Sequence, residues 1–163
     1  MGDIEKLNTC LAKLGGLQLD TLVDRKLLQK RVYFLQELGA DLGYSFGFHV
    51  YGPYSPELTE DAYSLKRQIE QAPETLESSE LSSDEQKALK STIEFMSKYE
   101  GDEVEAAYWL ELLSSLHFLW KFSYIKDKTK EKIFNRLREK KHIRNSDDLE
   151  TVWSQLSDSG LVS

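Results

Sequence analysis

Between Asp24 and Leu58 the chain reads DRKLLQKRVYFLQELGADLGYSFGFHVYGPYSPEL, and its hydrophobic period changes from helical to strand-like and back within those residues. Leu28, Val32 and Leu35 make one helical stripe, and Leu27, Phe34 and Leu38 widen it until the helix must be covered on more than one side. Its polar residues, Asp24, Arg25, Lys26, Gln29, Lys30 and Arg31, crowd the first turns, so the helix is expected to enter at the surface and end in the core near Gly39. From Tyr44 to Tyr51 the period becomes two, with Tyr44, Phe46, Phe48 and Val50 on one side, which predicts a half-buried strand. Gly52 and Pro53 then predict a turn. Ser55 followed by Pro56 is a strong helix start, because a serine oxygen accepts an orphan N–H and proline at the first helical position loses no hydrogen bond. That helix should run to about Gln71, with Leu58, Ala62, Leu65 and Ile69 inward.

The other segments read as helices in turn. Asp3 caps a helix to Leu14 whose apolar face includes Cys10, and Thr21 with Asp24 can close a capping box on the next. The stretch ETLESSELSSDEQ is an acidic loop expected at the surface with a mobile tip. Ser82 with Glu85 boxes a helix to about Tyr99, with Leu89, Ile93 and Met96 inside. Asp102 with Glu105 opens a helix to about Tyr124 that is apolar almost all round and belongs at the centre of a core or of a homodimer. A basic helix lies within 126–144, and Asp147 boxed with Glu150 starts the last, to about Ser157. These elements predict a mainly α chain, one domain over 1–163, with an N-terminal unit over 1–72 and a helical extension over 82–158.

The segments RKLLQKRVYFLQ and FHVYGPYSPEL resemble the YwgA-like family of uncharacterised bacterial and archaeal proteins. More distantly they resemble the Panacea domain of SocA-type antitoxins, in which a Leu-Gln-Lys-x-x-Tyr helix precedes a Tyr-Gly-Pro turn. The shared positions are Leu28, Gln29, Lys30, Tyr33, Tyr51, Gly52, Pro53, Pro56, Glu57 and Leu58, about a fifth of the chain. The resemblance implies a winged-helix-like N-terminal half in a prokaryotic protein. It also implies a group with regulatory or toxin-neutralising members and no assigned enzyme chemistry.

Few residues suggest chemistry. One cysteine excludes an intramolecular disulfide, and Cys10 on an apolar face reads as a small buried hydrophobe. His117 has no ligand partner at metal spacing and reads as a core or boundary histidine. Gly39, Gly43 and Gly47 do not form a phosphate-binding fingerprint. No metal, cofactor or enzymatic activity is therefore expected. The polar site that remains is Lys30, Arg31, His49, Tyr51 and Tyr54 around the Tyr-Gly-Pro turn, read as the contact surface for an unidentified protein partner.

Charge leaves an alternative open. Of a net −7, residues 57–105 hold 14 acids against five bases, whereas 121–144 hold ten bases against three acids. Lys128, Lys132, Arg136 and Lys140 could meet nucleic-acid phosphates, an acidic protein surface or solvent. The helix after Ser55 is a poor DNA reader, since Glu57, Glu60 and Asp61 precede its first base, Lys66. Nucleic-acid binding is expected to be weak or absent. No apolar run long enough for a membrane span occurs, and MGDIEK lacks the layout of a secretory signal, so a cytoplasmic location is expected.

Overall fold

The computed structural model describes residues 2–75 and 79–163. In it the helices begin where side chains can accept the orphan N–H groups of the first turn. Helix α1 (Ile4–Lys13) is capped by Asp3, α2 (Leu22–Glu37) by the Thr21–Asp24 box, and α3 (Pro56–Gln71) by Ser55 with Pro56 behind it. The Ser82–Glu85 box starts α4 (Ser83–Met96), Asp102 starts α5 (Glu103–Phe122) and Thr129 starts α6 (Lys130–Lys140). Helix α7 (Asp147–Asp158) lacks the expected box. Asp148 instead accepts from the Asn145 backbone N–H at 3.3 Å and from the Tyr108 hydroxyl at 2.7 Å, so a loop and α5 hold that end in place of a local cap. The fold is mainly α with one small β element.

That element differs from the expected strand over 44–51. Strand β1 covers only Gly47–His49 and pairs antiparallel with β2 (Gly52–Tyr54), in the register Gly47–Tyr54, Phe48–Pro53, His49–Gly52. Tyr44 does not join the ladder because Gln36 of α2 takes both of its backbone groups, donating to its carbonyl at 2.8 Å and accepting from its N–H at 2.9 Å. The expected turn at Gly52–Pro53 is the second strand. The chain reverses at Val50 and Tyr51, which leaves Val50 79 % exposed where alternation had placed it inward. Gly52 takes the left-handed backbone, φ +92°.

Helix α2 is the wall between two apolar clusters. Leu27, Tyr33 and Phe34 pack toward α5 and the helices after it, while Leu28, Val32 and Leu35 pack toward α1, α3 and α4. Its two-sided burial is what the broad stripe predicted. Each such side chain contributes about 1.5–3 kcal/mol relative to exposure. Helix α5 packs against α2, α6, α7 and β2, and its buried residues from Ala106 to Leu119 fill the larger cluster. Two inward assignments fail. Ile93 and Ile69 are each 38 % exposed, and Phe95 in place of Ile93 reaches the core, against Phe34. Of the acidic loop, residues 76–78, with its expected tip, lie outside the described residues. Midway along it the Ser79 backbone N–H donates to Thr9 Oγ1 at 2.9 Å.

Candidate functional site

The exposed end of α2, the hairpin and the start of α3 enclose a cavity of about 350 Å³. Two consecutive side chains of α2, Gln29 and Lys30, set its geometry. Gln29 clamps the start of α3, donating to the Ser55 carbonyl at 3.2 Å and accepting from the Ser55 N–H at 2.8 Å. Lys30, next in sequence and 2 % exposed, donates its ammonium to the Pro53 carbonyl at 2.8 Å. Tyr33, one turn further, points the other way, its hydroxyl 2.6 Å from His117 Nδ1 on α5. The residues of the Leu-Gln-Lys-x-x-Tyr pattern thus tie the helix to the hairpin, to α3 and to α5.

The hairpin is held from below as well. Lys141, just past α6 and buried, donates to the Val50 carbonyl. Gly52 lies against α5 so closely that a Cβ there would fall 2.4 Å from Ser115 Oγ and 3.5 Å from Lys30 Nζ. The Ser115 hydroxyl is buried and, among the described residues, has no hydrogen-bond partner. Two strands of three residues leave carbonyls that no ladder satisfies, and the two lysines supply the missing donors. Burial pushes Lys30 down to about 7, opposed only in part by the Glu111 carboxylate. Lys141 is lowered for the same reason, and it shares Glu111 with Lys26 at 3.4 and 3.5 Å.

Of the five residues singled out around the turn, Lys30, His49, Tyr51 and Tyr54 line this cavity. Lys30 contributes its stem, since its charge is directed at the hairpin and away from any visitor. Tyr51, 41 % exposed, carries Lys26 Nζ 4.0 Å above its ring, and His49 rests edge-on against Tyr54. Arg31 is elsewhere. It lies on the opposite side of α2, beside Gly15 in a cavity of about 270 Å³ formed with α4 and α5, because one step along a helix turns a side chain by some 100°.

The basic segment is distributed differently from a continuous phosphate-binding face. Lys128 donates to the Trp120 carbonyl at 2.6 Å and covers its ring, Lys132 donates to the Lys126 carbonyl at 2.8 Å, Arg136 lies 3.9 Å from Glu139, and Lys140 approaches the Phe48 ring. All four remain partly or fully exposed.

Sequence reasoning missed two arrangements. Lys141 falls within the basic stretch 121–144, yet only its fold neighbours Val50 and Glu111 reveal its role. His117, read as a core histidine, is buried and sits in a chain from Tyr33 to Glu37, whose carboxylate is 3.9 Å from Nε2 and 2.7 Å from Lys121 Nζ. Desolvation lowers His117 to about 4 and raises Tyr33, so the tyrosine keeps its proton and donates it to Nδ1, placing the ring proton on Nε2. Cys10 is buried among α1 contacts, its thiol pushed up to about 11 by desolvation. Among the described residues no group of three or more His, Cys, Asp or Glu is placed to hold a metal, and no helix is long and apolar enough to cross a membrane. Comparison with family models, with curated proteins and with solved structures finds no match to this chain.

Proposed function

We propose that the chain is a non-enzymatic interaction or regulatory module of a prokaryotic cytoplasm, and that it meets a protein partner through the surface around His49, Tyr51 and Tyr54. The observation that carries this reading is the pairing of a pinned hairpin with exposed aromatic and imidazole groups at its tip, beside a cavity. Aromatic anchors on a rigid frame lose little conformational entropy on binding, which is the economy that interaction hot spots share. The resemblance of the α2 and hairpin segments to the YwgA-like and Panacea families supports a regulatory role over a catalytic one. Toxin neutralisation is a property of some of those relatives and is no part of the proposal.

Co-purification from the native cell with mass spectrometry tests it, provided the variants are run in parallel. A partner recovered with the wild type and lost with His49→Ala plus Tyr51→Ala is the expected result. Recovery of no partner, together with turnover of a small molecule that His49→Ala abolishes, would replace this reading with an enzyme.

A further inference from the structure

The cavity between α2, the hairpin and α3 has a chemistry that the partner reading does not use. Its volume of about 350 Å³ lies within the range of small-molecule sites. Leu19, Leu22, Leu28 and Tyr63 give it apolar walls, Lys30 adds its stem, and Arg25 and Lys26 bring charge to it. Among the described residues no aspartate or glutamate lines it, in a chain where acids outnumber bases 28 to 21. The selection of sign is therefore local and opposite to that of the whole molecule.

Its two part-exposed cations, Arg25 and Lys26, are also short of counter-charge. Arg25 donates one N–H to the Leu19 carbonyl at 2.9 Å and, among the described residues, makes no ion pair. Lys26 has only a share of Glu111, which Lys141 approaches at 3.4 Å while Lys26 stands at 3.5 Å. A planar guanidinium with free N–H groups beside a half-neutralised ammonium suits a carboxylate, which it can bind with two parallel hydrogen bonds. A phosphate would favour a nest of free backbone N–H groups, and at the start of α2 Thr21 and Asp24 already take up that role.

We propose that this cavity binds a small amphipathic carboxylate, its apolar body against Leu19, Leu22, Leu28 and Tyr63 and its carboxylate at Arg25 and Lys26. The proposal uses the same cavity as the partner reading but needs no protein partner, so either stands if the other fails.

Titration of the full chain with 3-phenylpropionate, followed by backbone amide NMR, tests it against 3-phenylpropylamine, which has the same body and the opposite charge. The acid is expected to produce saturable shifts in residues 19–30 and 49–63 with a Kd on the order of 1 mM, as befits so small a ligand, and the amine none. Arg25→Gln with Lys26→Gln should weaken the acid by about tenfold or more while the spectrum elsewhere and the melting curve keep the wild-type form. Equal binding of the amine, shifts that map to another face, an unweakened double variant, or no saturable shift by about 10 mM acid would each overturn the proposal. Loss of the co-purified partner in His49→Ala plus Tyr51→Ala bears on the partner reading alone.

Discussion

Two lysine-rich regions of this molecule look alike in charge and behave as opposites. At the hairpin, Lys30 and Lys141 are buried and each supplies a donor to a carbonyl that the short strands leave unpaired. Around α6, Lys128 and Lys132 also donate to carbonyls, of Trp120 in the last turns of α5 and of Lys126 in the loop, but they do so from the surface. The acceptor chemistry is the same and the solvent differs. A buried ammonium loses its hydration, so its bond is required and its charge is costly, whereas an exposed one exchanges water for carbonyl at little net gain. Charge runs in a sequence record neither circumstance.

The contrast breaks most sharply at Gly52. A side chain there must adopt φ +92° and meet Ser115 Oγ at 2.4 Å, so Gly52→Ala is expected to destabilise by about 3–5 kcal/mol, strain and overpacking combined. Urea denaturation measures it. Adding Ser115→Gly should return the steric part and leave the backbone part; no recovery at all would mean that the hairpin is not seated on α5 as described. No substitution of the exposed lysines around α6 is expected to approach this loss.

Lys30 sharpens the comparison through pH. Its folded pKa of about 7 lies below the ordinary 10.5, so the unfolded chain takes up the proton first as pH falls through 10.5, and stability is lost progressively down to about 7. Between about pH 7 and 9.5 the wild type should gain at most about 3 kcal/mol from this group, a gain that Lys30→Met lacks. A Lys30→Met profile parallel to the wild type over that window would show that the ammonium is solvated. His117 acts at the other end of the scale. Held at about 4 against an ordinary 6.5, it contributes stability at neutral pH that is lost as pH falls from about 6.5 toward 4, up to about 3 kcal/mol. Chemical denaturation of His117→Gln at several pH values should remove that slope while the losses shared with the carboxylates remain.

What the sequence made legible follows the same division between local and distant partners. Helix starts at Thr21, Ser55 and Ser82 were readable because a cap and its recipient lie within three residues. The two-sided burial of α2 was readable because a wide stripe has no other use. The strand was overextended because alternation at Tyr44 and Phe46 resembles a ladder, and nothing near those residues tells that Gln36, eight positions earlier, takes the backbone of Tyr44. His49, Tyr51 and Tyr54 line one cavity because a tight turn keeps its neighbours together. Arg31 was misplaced by treating adjacent residues of a helix as one surface. Ser115 and Lys141, 63 and 89 positions after Gly52, became visible only when α5 and the end of α6 met the hairpin.

The smallest effects are expected at α6, where the comparison is tested by what does not change. Lys132 and Arg136 lie on its outer side, one bonded to the Lys126 carbonyl and the other 3.9 Å from Glu139, both in contact with solvent. Replacing both with glutamate removes one exposed hydrogen bond and one weak ion pair, so the expected stability change is within about 1 kcal/mol. The same variant tests the alternative that this segment grips nucleic acid. Phosphate contacts need several cations presented together to release counterions, and here Lys128 is committed to Trp120 while Lys140 turns toward Phe48. The chain as a whole, at −7, repels a duplex. Fluorescence anisotropy with random duplexes is expected to give a dissociation constant no tighter than about 1–100 μM at roughly 150 mM salt, with a shallow salt dependence. Nanomolar binding lost in Lys132→Glu plus Arg136→Glu would make α6 a functional surface after all, and would place the more consequential lysines outside the core.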